Sequence, residues 1–227
     1  MNERTAQILE AVVQEFIKHG EPVSSGLLYD HYEFGIKPAM IRLELDELEA
    51  KGYLEQPHPS AGRIPTNRGF EFFAERTLGV QAAQQRPAAE MKRSALREMV
   101  DEHAWPDLIN ELSVQLGVLS VVADLTREAV YKAGLERLVD QLDWRDANGI
   151  RSVIHDFKDV DERLSQVAPK MEDGPNIYIG RKSPFTRSEQ LSVIGGNYKT
   201  GDETISIFVI GPKRMDYKKV INIFMNL

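Results

Sequence analysis

The amino-acid sequence predicts an α+β protein in two parts, an N-terminal winged helix-turn-helix followed by a mixed α/β domain with an antiparallel sheet. Three observations predict it. Apolar residues recur at helical spacing in three short, closely connected runs before Gly52; two extended pieces around a Gly-containing loop follow; and two strand-like segments joined by a turn lie near the C-terminus. A chain of 227 residues has room for two domains, each with its own core.

From Glu3 to Lys18, the residues Ile8, Leu9, Val12, Val13, Phe16 and Ile17 repeat at helical spacing, and His19-Gly20 ends the run. This is a first amphipathic helix. Ser24 and Ser25 offer N-cap oxygens to a short second helix reaching about Tyr32, and Glu33-Phe34-Gly35-Ile36 is a tight turn. Pro38 suits the first turn of a third helix, where Ile41, Leu45 and Leu48 form an apolar stripe and Gly52 supplies the stop. Tyr53 to His58 and Arg63 to Pro65, around Pro59-Ser60-Ala61-Gly62, read as a hairpin or wing. Thr66 can cap a fourth helix carrying Phe70, Phe73 and Leu78.

The stretch 79–89, rich in Gln and Ala and holding Pro87, marks a linker between a domain at 1–78 and a second at 90–227. Met91, Ala95, Met99 and His103, then Leu108, Leu112 and Leu116, suggest two helices interrupted at Pro106. Gly117 to Ala123 is rich in β-forming residues. Helices are expected at Leu135–Trp144, Ala147–Phe157 and Val160–Val167, and a strand at Asn176–Gly180. Gln190–Tyr198 and Glu203–Ile210 form a hairpin through Lys199-Thr200-Gly201-Asp202, Gly211-Pro212 ends the sheet, and a last helix from about Asp216 carries Val220, Ile221 and Phe224.

Composition narrows the function. The absence of cysteine excludes disulfides, Cys-based zinc sites and thiol nucleophiles. No apolar run approaches the roughly 20 residues of a membrane span, and the N-terminus lacks the order of a secretory signal, so a cytoplasmic protein is expected. The five histidines show no pair at metal-ligand spacing, the Asp156-Lys158-Asp159-Asp161-Glu162 cluster reads as a solvated helix face, and Gly195-Gly196 is too short for a phosphate loop and marks a bulge or close packing. No enzyme, metal or cofactor is expected.

A short helix, a tight turn, a third helix and a hairpin are the parts that place a recognition helix in the DNA major groove and a wing on the backbone. With Ile41, Leu45 and Leu48 inward, Ala39, Leu43, Asp46 and Ala50 lie opposite and Arg42 flanks them. Arg42 is the leading base or phosphate contact. Arg63, Arg68 and Lys37 are candidate phosphate contacts, and His58 belongs to the wing. Charge opposes this reading, since the chain carries a net charge of -7 and residues 1–78 hold more acids than bases. The alternative is therefore a protein-interaction or scaffolding module, responsive to chaperones, whose reading head has lost DNA binding.

Glu21-Pro22-Val23-x-Ser25, Pro38-Ala39-x-Ile41-Arg42, Leu48-Glu49 and Gly52-Tyr53-Leu54 resemble the helix-turn-helix of the heat-inducible transcription repressors, the HrcA family. The unbroken run from Gln56 to Thr66 is similar to that family's wing signature, with Pro59 where Thr is usual. Ile210 to Tyr217 with Val220-Ile221 resembles its C-terminal signature, and Tyr178-Ile179-Gly180 its preceding strand; Gly134-Leu135 fits the middle more weakly. The resemblance implies a homodimer that binds an inverted-repeat operator, named CIRCE, represses chaperone genes and depends on the chaperonin GroEL. It also implies a GAF-like second domain for dimerisation and regulation. The chain departs from the family where it passes directly from Val121-Val122-Ala123-Asp124 to Gly134-Leu135, the place of further strands and an inserted dimerising region. In the reading head Lys37 replaces a capping Ser, Met40 a Thr, Leu43-Glu44 an Asn-Asp pair, and Gly26 a basic residue.

Overall fold

The computed structural model describes residues 1–84, 95–142, 147–201 and 203–227, and the chain divides into two compact units, Met1–Arg76 and Thr77–Leu227. The first unit begins with α1 (Glu3–His19), whose N-cap Asn2 accepts from the Thr5 N–H at 2.8 Å. Gly20, at φ 71°, ends it with an N–H to the Phe16 carbonyl. Helix α2 (Ser25–His31) is capped by the Ser24 hydroxyl, which accepts from Leu27 N. Helix α3 (Pro38–Ala50) follows. The apolar stripes predicted for α1 and α3 meet in one core: Ile8, Leu9, Val12, Val13, Leu28, Ile41, Leu45 and Leu48 are all buried, with Phe70 and Phe73 from α4 (Asn67–Gln84) beneath them. Between α3 and α4 run β1 (Leu54–Glu55) and β2 (Ile64–Pro65), paired antiparallel with Leu54 opposite Pro65.

Helix α4 continues to Gln84 and so enters the stretch whose composition reads as a linker; residues 85–89 lie outside those described. Ala and Gln are good helix formers, and a single Gly79 costs only about 1 kcal/mol against Ala.

The second unit is an antiparallel sheet covered on both faces. Its strands are β3 (Leu119–Asp124), β4 (Ala129–Ala133), β5 (Asn176–Ile179), β6 (Leu191–Thr200) and β7 (Glu203–Pro212), in the order β4-β3-β7-β6-β5. Leu119, Val121, Val193, Phe208 and Ile210 pack with Phe185 and with Leu138, Val153 and Leu164 from α7 (Leu135–Asp140), α8 (Ala147–Asp156) and α9 (Val160–Val167). Helix α6 (Trp105–Leu116) packs on β3 and β4, and α10 (Tyr217–Phe224) on β6.

Several details depart from the sequence expectations. The break between α5 (Ala95–Asp101) and α6 falls at His103, in the left-handed region at φ 59°, and Pro106 sits in the first turn of α6, where its missing N–H would have had no helical partner. Strand β4 occupies the interval through which the chain is expected to pass directly from Asp124 to Gly134, and it pairs with β3 from Asp124↔Ala129 to Ser120↔Ala133. Gly211 and Pro212 end the sheet from within it, since β7 runs two residues past Ile210 and Ser192↔Gly211 and Leu191↔Pro212 are the last pairs of the β6–β7 ladder. The close packing expected at Gly195-Gly196 is present: a Cβ on Gly196 would overlap the Gly174 carbonyl. Met91 and Trp144, expected in helices, and Asp202 of the hairpin turn lie outside the described residues. Among the described residues no helix is long and apolar enough to cross a membrane.

Candidate nucleic-acid interface

Helix α3 shows two faces. Ile41, Glu44, Leu45 and Leu48 are buried, while Lys37, Ala39, Met40, Arg42 and Leu43 are exposed. Leu43 is 59% exposed and Met40 46%, so the outward face combines apolar groups with cations. Lys37 occupies the N-cap without a side-chain hydrogen bond, leaving the first-turn N–H groups of α3 uncapped by a side chain.

The four carboxylates of α3 are each held within the unit. Glu44, buried, accepts from the Thr5 hydroxyl at 2.6 Å and pairs with Arg4 at 3.3 Å. Asp46 and Glu49 both pair with Arg63, at 2.6 and 2.9 Å, and Glu47 pairs with Lys51. Lys37 and Arg42 have no side-chain hydrogen bond or ion pair among the described residues. An acidic helix thereby presents positive charge at its N-terminal end, where the helix dipole adds to it.

The segment between β1 and β2 is a built structure. Gln56 donates through Nε2 to the carbonyls of Pro59 (3.1 Å) and Ala61 (2.9 Å), and the Ala61 N–H donates to the His58 carbonyl at 2.9 Å. Val23, just before α2, exchanges both backbone hydrogen bonds with Arg63, at 2.9 and 2.8 Å. This pairing needs Gly62, because a Cβ there would overlap the Val23 carbonyl. A cleft of ≈ 370 Å³ lies between α3 and this loop, lined by Ser24, Ser25, Arg42, Gln56, Ser60 and Gly62 among others.

The structure sorts the expected DNA-facing residues. Lys37, Ala39, Arg42 and Leu43 lie on the exposed face of α3, and His58 is exposed in the hairpin loop. Arg63 is turned onto α3, its side chain 12% exposed. Arg68 stacks over the Tyr53 ring at 4.3 Å and donates to the Lys51 carbonyl at 2.6 Å, at the C-terminal end of α3, where a cation meets the negative end of the dipole. Asp46, opposite the apolar stripe by helical spacing, is tied to Arg63, and Glu44, beside Leu43 in the reading head, is tied to Thr5. Their partners stand 17 and 39 residues away, beyond the reach of that spacing.

Two other polar clusters explain residues without a role in the sequence. Glu15, buried, lies 3.4 Å from His19 one turn on, accepts from the Tyr32 hydroxyl at 3.0 Å and lies 3.7 Å from His31; the last two contacts are ones that helical spacing does not reveal. Burial first, and then this hydrogen bond, push the Tyr32 phenol up to about 12. In the second unit Asp124 is buried, which raises its pKa. Backbone and side-chain hydrogen bonds from Arg127, with one from the Trp105 indole at 3.2 Å, outweigh that and hold it below the usual carboxylate range.

Comparison with known proteins adds to this geometry. The family model described as the HrcA protein C-terminal domain matches residues 71–221. A heat-inducible transcription repressor HrcA of Natranaerobius thermophilus is 25% identical, the alignment covering 98% of this chain and 94% of the relative. That alignment runs over 323 positions, more than the 227 residues here, so the relative carries residues with no counterpart in this chain. The protein of the same name from Parafrankia sp. is 35% identical over 128 residues, which cover 56% of this chain and 35% of the relative. A solved structure described only as a hypothetical protein shares the fold, with a TM-score of 0.77 at 20% identity, covering 99% of this chain and 94% of that one. The chain therefore belongs to the HrcA family of heat-inducible transcription repressors, a family of regulators and not of enzymes.

Proposed function

We propose that this repressor acts as a dimer on an inverted-repeat operator of the CIRCE type upstream of chaperone genes. Residues 1–78 form its winged helix-turn-helix, with α3 as recognition helix and the β1–β2 hairpin as wing. The observation that carries this reading is the state of α3: all four of its carboxylates are held internally, while Lys37 and Arg42 stand exposed and, among the described residues, unpaired. In this reading Arg42 contacts a base edge or phosphate from the cleft beside Ser24, and Lys37 and Arg68 contact phosphates. Ala39 and Leu43 meet thymine methyl groups. His58 lies over the backbone. Arg63 acts by positioning the wing against α3, a role that its two ion pairs support better than direct phosphate contact.

The scaffolding alternative rests on the acidic balance of residues 1–78. The internal pairing of the α3 carboxylates weakens that argument, because the excess negative charge does not lie free on the exposed face of α3. The second unit, a five-stranded antiparallel sheet with helices on both faces, supports the GAF-like reading and a role in dimerisation and regulation, including dependence on GroEL, in the cytoplasm. Anisotropy titration of the full chain against a CIRCE-type duplex and an arbitrary duplex tests the proposal. The expected result is tighter operator binding, by the roughly 10³-fold or more typical of specific sites, at two chains per operator, with Arg42→Ala losing most of that preference. Equal affinity for both duplexes would refute it.

A further inference from the structure

The sheet of the second unit has two outer strands, β4 and β5, and they are finished differently. Strand β5 is four residues long and is entered through Pro175, which has no N–H to offer. Its approach is tied inward: the Gly174 N–H donates to the Asn197 carbonyl at 3.1 Å, and the Asn176 side chain donates to the carbonyls of Glu172 and Gly174 at 3.3 and 3.1 Å. Strand β4 is built without these devices. Ala129–Ala133 contains neither proline nor glycine, pairs with β3 through all five of its residues, and has no strand on its other edge among the described residues. Such an edge presents a row of unpaired N–H and C=O groups, and a lysine is a usual guard against a further strand. Here that charge is neutralised, because Lys132, the exposed residue of β4, has its ammonium drawn onto Asp161 of α9 at 2.6 Å.

Exposed apolar side chains adjoin the same strand. Gly134, directly after β4, packs so closely on α6 that a Cβ there would overlap the Ser113 hydroxyl, and Arg137 of α7 donates to that hydroxyl at 3.1 Å. Val114 and Leu135, next in sequence to this contact, are 52% and 45% exposed. The C-terminal end of β4 therefore joins an open edge to an apolar corner. The strand is also compatible with itself. An antiparallel pairing centred on Tyr131 sets Ala129 against Ala133 and Val130 against Lys132, with no like charges opposed, and places the two Tyr131 side chains directly opposite each other as a cross-strand aromatic pair. A twofold axis makes every one of these contacts twice.

We propose that β4 and the Val114–Leu135 corner bind a second copy of this chain, the two β4 strands pairing antiparallel about a twofold axis into one continuous sheet. The inference rests on the dimer of the operator reading and assigns the surface that makes it. It is tested on the full chain and on Val114→Glu/Leu135→Glu by sedimentation equilibrium, with amide exchange of β4 and β5 followed at high and low protein concentration. Both altered positions are exposed, and thermal melting verifies that the variant is folded; Tyr131→Lys serves if it is not. The unaltered chain is expected at twice its 25.7 kDa mass, and the variant is expected to dissociate at least roughly 10-fold more readily, because charge is forced into the contact. Amides of β4, and not those of β5, should exchange faster on dilution. A variant that dimerises as tightly as the unaltered chain, with β4 exchange independent of concentration, overturns this surface and leaves the operator reading intact. A chain of single mass in solution that still binds a CIRCE-type duplex as two copies does the same. A β4-dependent dimer with equal affinity for that duplex and an arbitrary one overturns the operator reading and leaves the surface.

Discussion

Arg63, at the base of the hairpin, closes an ion pair of 2.6 Å on Asp46 in the middle of α3. The same guanidinium reaches Glu49 at 2.9 Å, and its own backbone is paired with Val23 ahead of α2. One residue thus joins hairpin, third helix and the entry to the second helix, while drawing two carboxylates into internal pairs.

Arg63→Ala is expected to lower stability by about 1 kcal/mol, because two half-exposed pairs are each worth roughly 0.2–1 kcal/mol. It should weaken DNA binding by more than Asp46→Asn does, since it leaves Asp46 and Glu49 uncompensated beside the recognition face. Urea unfolding and duplex titration of the two variants check both orders. Equal DNA affinity for the two would count against the positioning role of Arg63.

Gly62→Ala places a methyl group against the Val23 carbonyl. Overpacking of this kind typically costs about 1–3 kcal/mol. Thermal melting should register the destabilisation, and amide exchange at Val23 and Arg63 should accelerate together as their two hydrogen bonds open.

Glu44→Ala removes the buried acceptor of the Thr5 hydroxyl and the partner of Arg4. A hydrogen bond to a charged group contributes about 1.5–3 kcal/mol, and a destabilisation of that order is expected in urea. Leu43→Ala, on the exposed face of the same helix, should change stability by no more than about 0.5 kcal/mol. Comparing the pair locates the buried side of α3 without reference to DNA.

Asp124 has a lowered pKa, so the folded state binds its proton less readily than the unfolded chain does. Its contribution is therefore present above the ordinary carboxylate range and is lost as pH falls through that range and below it. Asp124→Asn should melt at a lower temperature than the unaltered protein near neutrality, with the gap narrowing as the pH is taken below the ordinary carboxylate range. A constant gap would mean that shape, not charge, makes Asp124 matter.

Tyr32 shows the opposite sign. Its phenol is raised from 10.0 to about 12, so the stabilisation it provides is complete below the ordinary phenol pKa and is lost as pH climbs to about 12. Ultraviolet titration of the folded protein should show a tyrosine ionising late, and Tyr32→Phe should reduce that late step.

Local chemistry makes much of this protein readable from its sequence. The Ile41, Leu45 and Leu48 stripe, the Ser24 cap, the turn at Gly52 and the Gly62 hairpin follow from periodicity and from the conformations that Ser and Gly favour. Strand β4 is hidden from such reasoning because only Val130 and Tyr131 in its five residues favour extended structure; pairing with the buried strand β3 supplies what propensity lacks. Pro106 is equally ambiguous, since proline both ends helices and begins them, and the position of His103 decides which.

The candidate site divides along the same line. By itself the sequence determined which residues lie on the outer face of α3 and that Arg42 flanks them, because helical geometry is a property of consecutive residues. Only the tertiary structure decided which charges on that face remain available. Asp46 and Glu49 meet Arg63, and Arg42 meets no side-chain partner among the described residues; these pairings depend on how distant segments pack, which local spacing does not encode.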